Sequence, residues 1–186
     1  MLDRRRFVTG LGAIVMSPSV ALAKSKEFKL DPKYEPQKVL FDDGDYAPGT
    51  IVVDPENRFL YLTEGNGIAT RYGVGVGQAG LELKGTAYVA RKAKWPFWRP
   101  TREMIRRSPG KYARYAKGMR GGPNNPLGAR ALYLYRGNRD TYYRIHGTNQ
   151  PQSIGHALSN GCVRMLNAHV EQLYDRVPVG TFVVIL

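Results

Sequence analysis

From Gly49 onward apolar and polar residues alternate with a period of two, the pattern of strands that bury one face. Segments 51–53 and 59–63, separated by Asp54, Pro55, Glu56 and Asn57, precede 68–76, which follows the turn residues Gly65, Asn66 and Gly67. A meander of short strands is expected. Gly73, Gly75 and Gly77 alternate there with Val74 and Val76. A G-x-G-x-G run with no helix behind it predicts close backbone packing, not a dinucleotide turn, and no cofactor is expected. Residues 91–120 break the alternation with Trp95, Pro96, Phe97, Trp98 and Pro100, and predict a short helix over 102–107 capped by Thr101. Alternation resumes at 131–136 and 141–146, a hairpin across 137–140 whose second strand ends at His146. Asn167 then stands where it can cap a helix with the apolar face Val170, Leu173, Tyr174 and Val177. Pro178 ends that helix, and 182–186 reads as a closing buried strand. The expected fold is mainly β, a closed or sandwiched set of strands with one or two short helices and an inserted basic segment.

With 186 residues and 42% hydrophobic content, the chain can bury one ordinary core and still carry a short leader. Arg4, Arg5, Arg6, Phe7 and Val8 form a basic start, and an apolar region over 11–23 ends in Ala21, Leu22 and Ala23. This predicts an export signal over 1–23, too short to span a membrane, with the mature chain starting at Lys24. Paired arginines followed by x-Phe-Val are similar to the twin-arginine type of signal. Residues 24–47 are polar and predict a linker or an arm laid on a single domain over 48–186. Asp42, Asp43 and Asp45 lack the ligand spacing of a calcium loop, so no metal is expected. The formal net charge is +13, and residues 91–120 alone hold eleven bases against Glu103. That stretch is either a solvated insertion over packed aromatics or a substrate-facing lid.

Cys162 is the one cysteine, and His146 lies sixteen positions before it. An imidazole within reach of a thiol can act as its base, whereas the bland alternative is a small core cysteine beside a satisfied histidine. Export changes the balance. A lone thiol in an oxidising compartment has no intramolecular partner and stays open to oxidation, so its presence favours a working nucleophile.

The order H-G-T-N-x-P-x-S-I-G from His146, followed by S-x-G-C-V-R-M-x-N from Ser159, resembles the catalytic signature of the L,D-transpeptidases, the YkuD-type domain of bacterial cell-wall enzymes. The likeness extends more weakly through Tyr72 to Gly77, Trp95 and Pro96, and Asn125 to Gly128. Two positions depart from it: Asn160 stands where many members have histidine, and His169 where an acid is frequent. His169 reads as an ordinary polar surface or cap position. The resemblance implies a YkuD-like β fold and a periplasmic or otherwise exported enzyme. It implies that Cys162 attacks the carbonyl between the third residue of a tetrapeptide stem and its terminal D-alanine, with His146 as base. Gly161 and Cys162 backbone N–H groups would then stabilise the oxyanion, with Ser159 orienting the loop. Arg164, Thr148, Gly147 and Asn149 would lie around the substrate, Arg164 either holding a stem carboxylate or locking the loop. Peptidoglycan stem peptides are the implied partners and carbapenems the implied inhibitors, and nucleic acid is not a partner. Another stem peptide, an outer-membrane protein's lysine, a free D-amino acid or water all remain as acceptors. A carboxypeptidase or amidase on the same domain, or a non-catalytic wall-binding protein, are the other readings. Papain-like peptidases are disfavoured because they place cysteine before histidine.

Overall fold

A computed structural model describes residues 28–42, 45–81 and 83–186, so the expected export signal lies outside the described residues. The polar arm supplies β1 (Gln37–Leu40), which joins the main sheet as an edge strand beside β4. The expected meander is β2 (Ile51–Asp54), β3 (Phe59–Gly65) and β4 (Ile68–Gly73). Between β3 and β4 the chain reverses over Asn66 and Gly67, with φ of 53° and 68°, the two positive angles that a tight hairpin turn requires. Val74 and Gly75 interrupt the last predicted strand, which resumes as β5 (Val76–Gly77), and β6 (Gly85–Lys94) leads into the basic insertion. There α1 (Arg102–Arg107) is capped as predicted, Thr101 Oγ1 accepting the Met104 N–H at 3.1 Å, and α2 (Pro109–Tyr112) follows. The predicted hairpin is β7 (Arg130–Arg136) and β8 (Arg139–His146), then β9 (Ala157–Ser159), β10 (Val163–Arg164), α3 (Asn167–Arg176) and β11 (Phe182–Ile185).

Among the described residues nine strands form one mixed sheet in the order β1-β4-β3-β2-β11-β6-β7-β8-β10, and β5 pairs with β9 in a second. The last strand thus lies in the middle, parallel to β2 and antiparallel to β6, with Val183 opposite both Ile51 and Ala87. This explains the apolar run at the C-terminus, although Phe182 is 50% exposed. The main core joins Ile51, Leu60, Tyr72, Val89, Leu132, Leu134 and Ile145 to Met165, Val170 and Leu173. Each such aliphatic side chain contributes roughly 1.5–3 kcal/mol on burial.

The alternating glycines behave as the sequence suggested. A Cβ on Gly73 would lie 2.3 Å from Tyr34 Cβ, on Gly75 2.4 Å from Ser153 O, and on Gly77 2.7 Å from Gly161 Cα. The run therefore receives the arm, the loop after His146 and the Cys162 loop in turn. Two expectations fail. Asn167 does not cap α3, because its Oδ1 accepts from Ala129 N and Thr148 N at 3.0 and 3.2 Å and fastens two loops instead. His169, read as a surface position, is 4% exposed and meets Glu35 at 3.1 Å, since the arm folds back over α3.

Candidate active site

The register of β8 and β10 sets the site. These strands run parallel with Ile145 opposite Val163 and His146 opposite Arg164, so Cys162 enters β10 beside the end of β8. β8 also carries a bulge, since Tyr133 pairs with Arg144 while Tyr135 pairs with Asp140, which sets three residues of β8 against one of β7, and among the three Tyr142 takes φ 62°. The bulge turns the Tyr142 carbonyl toward Cys162 Sγ, 3.8 Å away. Cys162 is half-buried, and it lines with His146 a cavity of about 570 Å³.

His146 Nδ1 lies 2.5 Å from the Gly147 carbonyl oxygen. A carbonyl can only accept, so Nδ1 carries the proton and Nε2 is the basic nitrogen of the neutral ring. Burial, then the positive charges of Arg164 and Arg144, hold the imidazole pKa down to about 3. The thiol moves the other way: burial raises its pKa, while the Arg144 N–H and the Arg144 and Arg164 charges oppose the rise. Desolvation thus disfavours both ions at this site and favours a neutral pair. In such a neutral pair a proton can leave the thiol only as its sulfur forms a bond, and of the two ring nitrogens Nε2 is the one able to accept it.

Around the thiol, Ser159 Oγ donates to the Cys162 carbonyl at 2.6 Å and accepts the Gly161 N–H at 3.1 Å. Gly161 is thereby removed from the expected pair of oxyanion donors. Among the described residues no hydrogen bond engages the Cys162 N–H, which leaves it as a candidate donor. Gly161 has φ 118°, and a Cβ there would lie 2.4 Å from Leu81 O, which explains why glycine precedes the thiol.

Arg164 and Asn149 both line the cavity. Arg164 reaches Gln150 Oε1 at 3.3 Å, and Asn149 donates to Asn124 O at 2.8 Å. Gly147 and Thr148 do not line it: the Gly147 carbonyl orients His146, and buried Thr148 accepts the Gln150 N–H on Oγ1 at 3.0 Å. They pack behind the lining. The basic insertion does line the cavity, through Arg107, Lys111, Tyr112, Arg114 and Tyr115, and forms its lid. Asn160 donates to Tyr112 Oη at 2.9 Å, joining that lid to the Cys162 loop. Sequence reasoning missed these lid contacts. Their one local signal is the pair Asn125 and Pro126: Asn125 is 1% exposed and donates to Pro96, Met119 and Arg120 carbonyls, tying both ends of the insertion together.

The β scaffold thus brings a histidine and a cysteine to one cavity, the two side chains that cysteine-dependent acyl transfer requires. Residues 48–185 match the YkuD family, the L,D-transpeptidase catalytic domain, and the chain belongs to that family. It is similar to the probable L,D-transpeptidase ErfK/SrfK of Salmonella typhimurium, 36% identical over 157 residues, covering 81% of this chain and 48% of that one. The chain spans about half the length of the curated relatives it matches first. Among solved structures, a Brucella melitensis protein named a probable carnitine operon oxidoreductase is 57% identical over 84% of this chain and 96% of that one, with TM-score 0.58. That name is the Brucella protein's own. The fold is also that of LdtMt1 in complex with imipenem, at 14% identity and TM-score 0.52 over 74% of this chain and 58% of that one.

Proposed function

We propose that the protein is an exported peptidoglycan L,D-transpeptidase. Cys162 Sγ attacks the carbonyl carbon joining the third, L-centred residue of a tetrapeptide stem to its terminal D-alanine. His146 Nε2 takes the thiol proton as the S–C bond forms, and the Cys162 N–H donates to the developing oxyanion. One such donor is worth roughly 3 kcal/mol. Collapse breaks the C–N bond, the imidazolium returns its proton to the leaving nitrogen, and D-alanine departs with a thioester left on Cys162. An amine then attacks the thioester, losing its proton to His146, and a new amide replaces the S–C bond. Stem peptides supply that amine for a 3-3 cross-link, or a protein lysine does so for attachment to the wall.

The observation carrying this reading is that His146 at the end of β8 and Cys162 just before its partner strand β10 line one cavity, with the Gly147 carbonyl engaging imidazole Nδ1. Incubation of the chain with disaccharide tetrapeptide muropeptides tests it. D-alanine release with 3-3 linked dimers by mass spectrometry supports transfer, and tripeptide alone points to water as acceptor. Release by Cys162→Ala defeats the nucleophile.

The leader 1–23 fits delivery to the periplasm by the twin-arginine route, with Lys24 as the mature first residue. Carbapenems, which resemble the acyl donor, are expected to acylate Cys162.

A further inference from the structure

The lid brings to the cavity charges that the acyl-transfer chemistry does not use. Arg107 from α1, Lys111 from α2 and Arg114 just after it line the space over Cys162, together with Arg164 from β10. Among the described residues one carboxylate, Glu103, shares that lining, and Arg106 already holds it at 2.7 and 3.0 Å, with Arg107 3.8 Å away. Among the described residues Lys111, Arg114 and Arg164 have no carboxylate within ion-pair reach. Lys111 and Arg114 lie instead near the rings of Tyr112 and Tyr115, at 5.1 and 4.7 Å from their centroids. Burial lowers the Arg164 pKa, the mark of a cation taken from water without a counter-charge. Such a cation gains most from a bound anion, and a cleft lined with one sign of charge concentrates ions of the other.

The lid is also held in place. Its Tyr112 hydroxyl accepts from Asn160, two residues before the nucleophile, and Trp98 packs against Tyr112 and Tyr115 at 6.3 and 5.6 Å between ring centroids. The cations therefore stand at a fixed place relative to Cys162 rather than on a loose loop.

We infer that this cationic lid, latched to the Cys162 loop through Asn160 and Tyr112, selects acyl donors whose stem carries free carboxylates over stems in which those groups are carboxamides. The inference rests on the transpeptidase reading for the donor being a stem peptide, and adds its charge class. Amidation leaves a stem nearly unchanged in size, so shape discriminates poorly between the two. Charge discriminates well: a guanidinium or ammonium makes charge-assisted hydrogen bonds to a carboxylate, whereas a carboxamide leaves it unneutralised.

The test uses the full chain with Cys162→Ala, which binds without turnover. It is titrated calorimetrically with two synthetic tetrapeptide stems that differ only in having the second- and third-residue carboxylates free or amidated. The free-acid stem is expected to bind about tenfold tighter at low salt, through one or two charge-assisted contacts. Raising salt to about 0.5 M should shrink that gap. Adding Lys111→Gln with Arg114→Gln should bring the two stems within about twofold of each other. Tyr112→Phe keeps the ring, removes the latch, and should narrow the gap part way. Equal binding of the two stems at low salt, binding of neither, or a gap untouched by the double change overturns the inference. D-alanine release by the unaltered chain is scored separately. Selective binding without release sinks the transpeptidase reading and leaves the selection standing, whereas release with equal binding does the reverse.

Discussion

Arg164 stands opposite His146 in the parallel register of β8 and β10, so the cation two residues past Cys162 is built into the same two-strand unit as the imidazole. Its charge is second to burial in holding the imidazole pKa down to about 3. An ordinary histidine near 6.5 would gain its proton across the mildly acidic range, whereas this one stays neutral there. Alkylation of Cys162 by iodoacetamide, which needs the thiolate, should therefore climb by about tenfold per pH unit from 5 to 8 without a break, since the raised thiol pKa lies above that range and any histidine-dependent acid limb lies far below it. An inflection near 6.5 would count against the neutral pair. Arg164→Gln should move the acid limb upward without restoring the ordinary value, because burial remains.

Gly161→Ala should abolish most turnover. The position has φ 118°, and the new Cβ would fall 2.4 Å from the Leu81 carbonyl oxygen and 2.7 Å from Tyr143 Cε1. Both obstacles are fixed to each other, since Tyr143 Oη donates to Leu81 O at 2.7 Å. The strain costs about 1–3 kcal/mol, and relief by displacing the loop moves Cys162 away from His146. A fall in kcat of at least about a hundredfold is expected from an ångström of misplacement. Unimpaired D-alanine release by this variant would show that the loop tolerates a shift.

The fold was legible wherever one residue's neighbours in sequence decide its structure. The β2 to β4 meander, the β7–β8 hairpin and the Thr101 cap all follow from alternation, turn residues and a short polar side chain. Gly73, Gly75 and Gly77 announced close packing, although their partners Tyr34, Ser153 and Gly161 could not be read from them. Asn167 and His169 were misread for the same reason. Each answers to a group far along the chain, Asn167 to Ala129 and His169 to Glu35, and local propensity carries no information about such partners. At the site, His146 and Cys162 were found by motif and chemistry. The lid needed the tertiary link from Asn160 to Tyr112, which no spacing reveals.

Glu64 couples the arm, the sheet and α3, and predicts an acid-sensitive joint. It lies 3.0 Å from Lys38 Nζ of β1 and 2.5 Å from Arg176 Nη2 of α3, and accepts from Thr70 Oγ1. The hydrogen bond from Thr70, then those from Arg176 and Lys38, lower its pKa from 4.5 to about 2. Between those values the unfolded chain binds the proton and the folded one does not, so stability rises with pH there. The contribution is full above about 4.5 and is lost as pH falls through about 2. Glu64→Gln should therefore lower stability at pH 7 by roughly 1–2 kcal/mol after solvent screening, and the difference should vanish near pH 2. Urea melts of the two proteins at pH 7, 4 and 2 check it; a difference independent of pH would assign Glu64 a packing role.

The remaining prediction concerns the covalent step. Imipenem should acylate Cys162 because its strained amide offers the carbonyl that the proposed mechanism attacks, and it has no departing amine to diffuse away. Intact-mass measurement should then show one adduct of the full drug mass on the unaltered chain, and none on Cys162→Ala. His146→Ala keeps the thiol but removes the proton acceptor, so its adduct should form more slowly by about a hundredfold or more at pH 7. The deficit should shrink above pH 9, where thiolate forms without help and the base is no longer needed. Thr148→Val removes a hydroxyl that accepts the Gln150 N–H at 3.0 Å outside the cavity lining, and it should acylate within about threefold of the unaltered chain. An adduct on Cys162→Ala would place the nucleophile elsewhere. A His146→Ala rate deficit that persists unchanged at high pH would make His146 a scaffold for the Cys162 loop and not its base.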